Sequence, residues 1–241
     1  SLSPYNYCAN NPIKYVDPDG RSISEFDENG NYTGRTIKDN WFHNTFVGRK
    51  GHIIDGNGNV TQSFKFADPK NDVQALKDRK INKVHFVQES EITSMLSIAG
   101  AFNEENKVAN ADSRYSFISE EGKGGGKFDF ALIGIPGQYP DKNLSKTLFL
   151  VDGVAHNRFN YGNFLFGAAG KALGLTGFEL TMGAHYNSLF NSSTNGYKPQ
   201  FDSRDDQRSI RMGVQHANKQ GYKNMFYRVT VGPLQYKGYN Y

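Results

Sequence analysis

Hydrophobic and polar positions change period several times along this chain. Two early stretches, "FDENGNYTGRTI" at 26–37 and "IIDGNGNVTQSF" at 53–64, share one layout: an apolar residue, an aspartate, an Asn/Gly turn, then alternation. Alternation on both sides of such a turn signals a β-hairpin, because Asn and Gly accept the backbone angles the turn needs. The run from Asp55 to Asn59 also opens like a calcium loop, but its sixth position is Val60 and its twelfth is Phe66. Neither supplies the glycine or the carboxylate that such a loop needs. Residues 22–66 therefore read as a β-rich adaptor, with Asp68-Pro69 marking its end.

Beyond that point the pattern mixes periods. Residues 71–79 suit a short helix, and "KVHFV" (83–87) suits a strand. Ser90 to Phe102 reads as a helix with Ile92, Met95, Leu96 and Ala99 on one face. Residues 103–127 are polar and end in "EEGKGGGK", where Phe128 follows Lys127 in place of the Ser or Thr of a phosphate loop. A flexible loop is the expectation there. "FDFALIGIPG" (128–137) and "TLFLVDGV" (147–154) read as strands. From Phe164 to Leu173 apolar or small residues lie on all sides, which predicts a buried helix. Gly167, Gly170 and Gly174 would let another element approach it. Thr176-x-x-Glu179 is a capping box that begins a second helix, with Phe178, Met182, His185 and Leu189 on a shared face. Ser203-x-x-Asp206 caps a third, with Ile210, Val214 and Ala217 inward. "YRVTVGPL" (227–234) reads as a closing strand. The fold class is α+β: a small β-hairpin adaptor, then a mixed domain with three or four helices packed on a short sheet.

Composition narrows the function. Aliphatics are few, but 18 Phe and 14 Tyr supply core volume in their place. The net charge of +4 mildly favours a polyanionic partner. Cys8 is the only cysteine, so the rest of the chain has no thiol nucleophile, disulfide framework or cysteine zinc site. No uninterrupted apolar run is long enough to span a bilayer, and no leader pattern opens the chain. Neither a stable membrane span nor independent export is expected.

The densest polar constellation is "VDGVAHNRFNYGN", with Asp152, His156, Asn157, Arg158 and Asn163 on a loop leading into the buried helix. A helix N-terminus beside His and Arg suits an anion or a developing oxyanion. His156 is the candidate general acid or base, and Arg158 and Asn157 are candidate substrate contacts. His185 is either a third such contact or a satisfied core histidine. Asp202, Asp205 and Asp206 open the third helix, where negative charge complements the helix dipole. The same three carboxylates could hold a divalent metal, so such an ion is the one cofactor left open; no metal-ligand set is assigned. The signatures of zincins, α/β-hydrolases and zinc deaminases are missing.

Two resemblances organise these residues. "YNYCANNPIKYVDPDGR" (5–21) resembles the closing motif of the RHS-repeat core, the end of the β-cage in RHS/YD-repeat proteins. It implies that residues 1–21 end a delivery cage, 22–66 form the adaptor and 67–241 form a toxin cargo. That family often frees its cargo by self-cleavage at paired DPxG motifs; one DPxG, Asp17 to Gly20, stands here. The ordered series "GGKFDF" (125–130), "YGNFLFGAAGKALG" (161–174), "LTMGA" (180–184) and "DSRDDQRSIRMG" (202–213) resembles the polymorphic toxin type 44 domains. Asp129, Gly162, Asn163, Gly167, Asp206 and Gly213 occupy its shared positions.

Together the resemblances imply a secreted antibacterial effector. It would be delivered into a target bacterial cell by an RHS-type carrier of type VI secretion and held in check by a cognate immunity protein. The leading activity is a nuclease, most naturally an RNase, with His156 as acid or base and Arg158 meeting phosphate charge. A peptidoglycan hydrolase would pair Asp129 with Asp206. Membrane insertion through Gly170-x-x-x-Gly174 is disfavoured by Lys171 and Glu179. The site hypothesis places Asp129, His156, Asn163 and Asp206 in one cleft at the start of the Asn163–Gly174 helix.

Overall fold

In the computed structural model the described residues are 22–38, 49–103, 106, 111–190 and 203–225. The 5–21 motif, Asp202 and the expected strand at 227–234 lie outside them. The fold is α+β, and the chain divides into two compact units. Ser1–Val87 with Lys142–Asn157 make the first, and Gln88–Asp141 with Arg158–Tyr241 make the second. The expected boundary at residue 66/67 falls inside the first unit.

That first unit is a mixed sheet with α1 (Pro69–Lys77). The strands are β1 (Ser22–Phe26), β2 (Tyr32–Lys38), β3 (Lys50–Ile54), β4 (Val60–Phe66), β5 (Lys83–Phe86), β6 (Thr147–Val151) and β7 (Val154–His156), in spatial order β2-β1-β3-β4-β7-β6-β5. The two repeated patterns form antiparallel pairs, β1 with β2 and β3 with β4. Each turn is organised by its aspartate. Asp27 accepts the Asn31 backbone N–H at 2.7 Å and its side-chain amide at 2.9 Å, and Asp55 does the same with Asn59 at 2.8 and 3.1 Å. The sheet curls until its edges meet, where Tyr32 N–H donates to Asn82 C=O and Val84 N–H donates to Gly30 C=O. Phe26, Phe64, Phe66, Leu148 and Leu150 fill the interior, with Val73 and Leu76 of α1 added to it. Asp68 caps α1 by accepting from Asn71 N–H, and Pro69 stands in its first turn, where a missing N–H costs nothing.

The second unit contains α2 (Glu89–Ile98), α3 (Ala111–Glu121), a π-turn (Phe130–Gly134) continuing into the one-turn helix α4 (Ile135–Gln138), then α5 (Arg158–Ala172), α6 (Gly177–Phe190) and α7 (Arg204–Gln220). A 3-10 turn, Tyr222–Asn224, follows Gly221. Ile92, Met95, Leu96 and Ala99 are buried as the pattern predicts, although α2 stops four residues before Phe102.

Glycines let the helices pack backbone against backbone around α5. A Cβ on Gly167 would lie 2.1 Å from the Ile210 carbonyl oxygen, and one on Gly213 would lie 1.9 Å from that of Phe164. Gly162 gives the same access to Ala131 of the π-turn, while Gly170 makes room for the Leu180 side chain of α6.

Two expectations are corrected. The run at 128–137 is helical, not a strand. A short apolar run bounded by Gly and Pro does not discriminate the two, and here Asp129 caps the turn through Leu132 N–H at 3.2 Å. Residues 111–121 form α3 instead of a loop. They contain neither Gly nor Pro, and the helix ends as Gly122 arrives. The face of α6 that Phe178 and Met182 share is turned outward, Phe178 being 74% exposed and Met182 51% exposed. The buried contact of α6 comes from Leu180, packed with Ile210 and Leu175.

Candidate functional site

The start of α7 concentrates the polar chemistry of the helical unit. Ser203 is the N-cap, and its Oγ accepts the Asp206 N–H at 3.2 Å. The same oxygen lies 2.7 Å from Asp205 Oδ1 and 2.6 Å from Asp206 Oδ2. A hydroxyl has one proton to give, so the two carboxylates compete for it. The surroundings shift the acidity of Asp206. Burial raises its pKa first, the neighbouring Asp205 carboxylate raises it further, and hydrogen bonds from Ser203 and Asn163 offset part of the rise.

Two asparagines of α5 face this pair. Asn163 Nδ2 donates to Asp206 Oδ1 at 2.7 Å, and Asn160 Nδ2 donates to Asp205 Oδ2 at 3.2 Å. The i, i+3 spacing puts both amides on one side of α5, and the Gly167 and Gly213 contacts set how closely α7 approaches them. This is a pair of carboxyl groups whose outer oxygens are oriented by amides.

On its other side α7 borders a groove of about 540 Å³ against α6, lined by Thr181, Met182, Ser203, Arg204, Gln207, Arg208 and Arg211. The three arginines recur at i, i+4 and i+7, on one face. Gln207 crosses beneath them, its Nε2 donating to Thr181 C=O at 3.3 Å. Ser203 both lines the groove and bonds the two carboxylates, so it is the residue that joins the arginine stripe to them.

The residues singled out in the sequence separate into groups. Asn163 and Asp206 meet as expected. Asp129, in the same unit, spends its carboxylate on backbone amides, taking Gly125 N–H at 2.9 Å and Leu132 N–H at 3.2 Å. His156 belongs to the sheet unit, at the end of β7. It is fully enclosed, and burial lowers its pKa to about 3 against a smaller opposing pull from Asp152. Its imidazole is therefore neutral at physiological pH. Asn157 donates to Asp72 at 3.1 Å. Arg158 lies 4.8 Å over the ring of its neighbour Phe159. The backbone of His185 lies in α6, and its side chain falls outside the described residues. No cluster of three or more metal-ligating side chains occurs among the described residues.

Sequence reasoning missed Asn160 and the arginine stripe. Both were readable: Asn160 and Asn163 are the two amides at helical spacing in an otherwise apolar helix, and "SRDDQRSIR" carries its arginines at helical period. His216 lies in the last turns of α7. It is buried there, with Nε2 3.0 Å from Glu89 Oε2 and 3.2 Å from the Tyr222 hydroxyl, which itself donates to Glu89. Comparison of the chain with family models, with curated proteins and with solved structures gives no match.

Proposed function

We propose that this chain is the cargo of an RHS-type carrier, a secreted antibacterial toxin that acts as a nuclease, most naturally on RNA. The observation that carries the activity is the juxtaposition, through Ser203, of the Asp205/Asp206 pair with a groove bearing three arginines. Guanidinium groups match phosphate oxygens in geometry and charge and keep their charge at any physiological pH. A carboxyl group whose pKa is raised by burial and a neighbouring carboxylate is suited to serve as the general acid that a poor leaving group needs.

In this reading Asp205 accepts the proton of the attacking 2′-hydroxyl, whose oxygen bonds to phosphorus. The P–O5′ bond breaks, and Asp206 gives its proton to the departing O5′. Arg204 or Arg208 meets the charge that builds on the phosphoryl oxygens. Asn163 and Asn160 are positioning residues that hold the two carboxylates. His156, neutral and enclosed in the sheet unit, is given no part in this step. Delivery by type VI secretion and restraint by an acidic immunity protein belong to the same proposal, supported by the 5–21 motif and the net charge of +4.

One observation favours a second reading. Two carboxylates, one of them pushed towards the protonated form, also make the acid and base of a glycoside hydrolase, here one that cuts peptidoglycan. Among the described residues no helix is long and apolar enough to cross a membrane, and the inserting alternative finds no support.

The test uses purified chain on three substrates: labelled RNA, labelled DNA and isolated cell-wall sacculi. RNA cleavage that disappears in Asp206→Asn is expected. Release of wall fragments with intact RNA would replace the nuclease by the second reading.

A further inference from the structure

We infer that the groove between α6 and α7 seats a single-stranded nucleic acid, with its backbone along the arginine stripe and a base against Phe178; its catalytic use rests on the nuclease reading above. The first support is spacing. With a rise of about 1.5 Å per residue, Arg204, Arg208 and Arg211 spread their charges over roughly 10 Å of helix, enough for successive phosphates of an extended strand. All three are exposed, and among the described residues none is paired with a carboxylate.

The second support comes from the opposite wall. α6 runs antiparallel to α7: Thr181 is bonded to Gln207, and a Cβ on Gly177 would lie 3.7 Å from Val214. Going from Arg204 towards Arg211 therefore means going from Met182 back towards Phe178. These two residues, one helical turn apart, expose 51% and 74% of their surface. The helix would lose little by carrying polar residues there, because its buried contact comes from Leu180. A cationic stripe across from Met182, with the exposed Phe178 one turn further along α6, suits a single strand, where phosphates meet guanidinium groups and base faces stack on rings. A duplex hides its base faces and would set hydrated phosphates against this apolar wall.

The experiment is fluorescence anisotropy on the full chain carrying Asp206→Asn, with a labelled single-stranded RNA, a DNA of the same sequence, and their duplexes. Both single strands are expected to bind at least ten-fold more tightly than the duplexes, and the two arms show whether the sugar matters. Phe178→Ala should weaken single-strand binding about ten-fold without changing its salt dependence, and Phe178→Tyr should restore it. Arg208→Gln should lower the slope of log K against log salt by about 0.7. Thermal melts check that these exposed substitutions leave the fold intact.

Equal or tighter duplex binding, or Phe178→Ala with unchanged affinity, overturns the inference. So does displacement of the strand by polyglutamate as readily as by unlabelled oligonucleotide, which would make the groove a site for acidic protein segments. The two readings fail separately. A strand that binds but is not cut by the unsubstituted chain removes the nuclease and leaves the groove. Cleavage indifferent to Phe178 and Arg208 removes the groove and leaves the nuclease.

Discussion

The tips of the two hairpins and the first turn of α7 solve one local problem in the same way, with opposite electrostatic results. Asp55 and Asp206 each begin a turn, and each is held by an asparagine amide. At Asp55 the partners are the side chain and backbone N–H of Asn59, with further backbone N–H groups, all in open solvent. They favour the charged form and lower the pKa. At Asp206 burial and a second carboxylate outweigh the same kind of hydrogen bond and raise it. Hydrogen bonding to a carboxylate therefore does not set its protonation; the balance of donors against desolvation and like charge does. One aspartate is a fastener, and the other is a candidate acid.

The largest expected difference is in activity. Asp206→Asn should lower kcat/KM on the substrate by about 10²- to 10⁴-fold, the range a lost general acid produces. Asp55→Asn should leave it unchanged. Initial rates of both variants decide this, and an equal loss in the two would erase the distinction.

Packing gives the next contrast. Gly213→Ala forces a Cβ to within 1.9 Å of a backbone oxygen, where nothing can yield cheaply, and should cost about 3 kcal/mol. Gly58→Ala at the hairpin tip meets no atom within 4 Å, but keeps a φ of +83°. It should cost only about 1–2 kcal/mol of backbone strain. Urea unfolding measures both. If Gly213→Ala proves harmless, the close approach that aligns the amides with the carboxylates is looser than described.

A third test stays in the sheet unit. The His156 pKa is lowered from its usual value to about 3, so the unfolded chain takes up a proton that the folded chain refuses. The stability this gives is present above pH 6.5 and is lost as pH falls towards 3. Between pH 6.5 and 5 the loss should be about 2 kcal/mol. His156→Gln should flatten that part of the stability curve.

The smallest effect has the sharpest sign. Asp55, with its lowered pKa, stabilises above the ordinary carboxylate range, and its contribution disappears as pH falls. Asp206, with its raised pKa, stabilises below that range, and its contribution disappears as pH rises. Melting curves of Asp55→Asn and Asp206→Asn against wild type from pH 3 to 7 should therefore diverge in opposite directions.

Much of the local structure could be read in the amino-acid order because local rules govern it. The two Asp/Asn/Gly turns, the Thr176/Glu179 capping box and the Ser203 cap form as predicted, since each is completed by residues within four positions of one another. The buried character of α5 and the close approach at Gly167 and Gly170 were likewise legible, because a helix apolar on every side has nowhere to be except inside. Asn163 and Asp206 were expected in one cleft on the strength of a resemblance. Nothing local said that they bond to each other.

That pairing was decided by tertiary structure, and so was the rest of the candidate site. Asn163 and Asp206 lie 43 positions apart and meet at 2.7 Å because two glycines remove the side chains that would separate their helices. Whether 128–137 became strand or helix depended on a cap at Asp129 and on room beside Gly162, not on its hydrophobicity. The outward turn of Phe178 and Met182 followed from Leu180 finding the deeper contact. The sequence alone determined which residues could cap, turn, bury or carry charge, because those are properties of a side chain and its near neighbours. Which carboxylate would be desolvated, and which imidazole enclosed, depended on what the fold stacked against them, since a pKa responds to every group within a few ångströms regardless of its place in the chain.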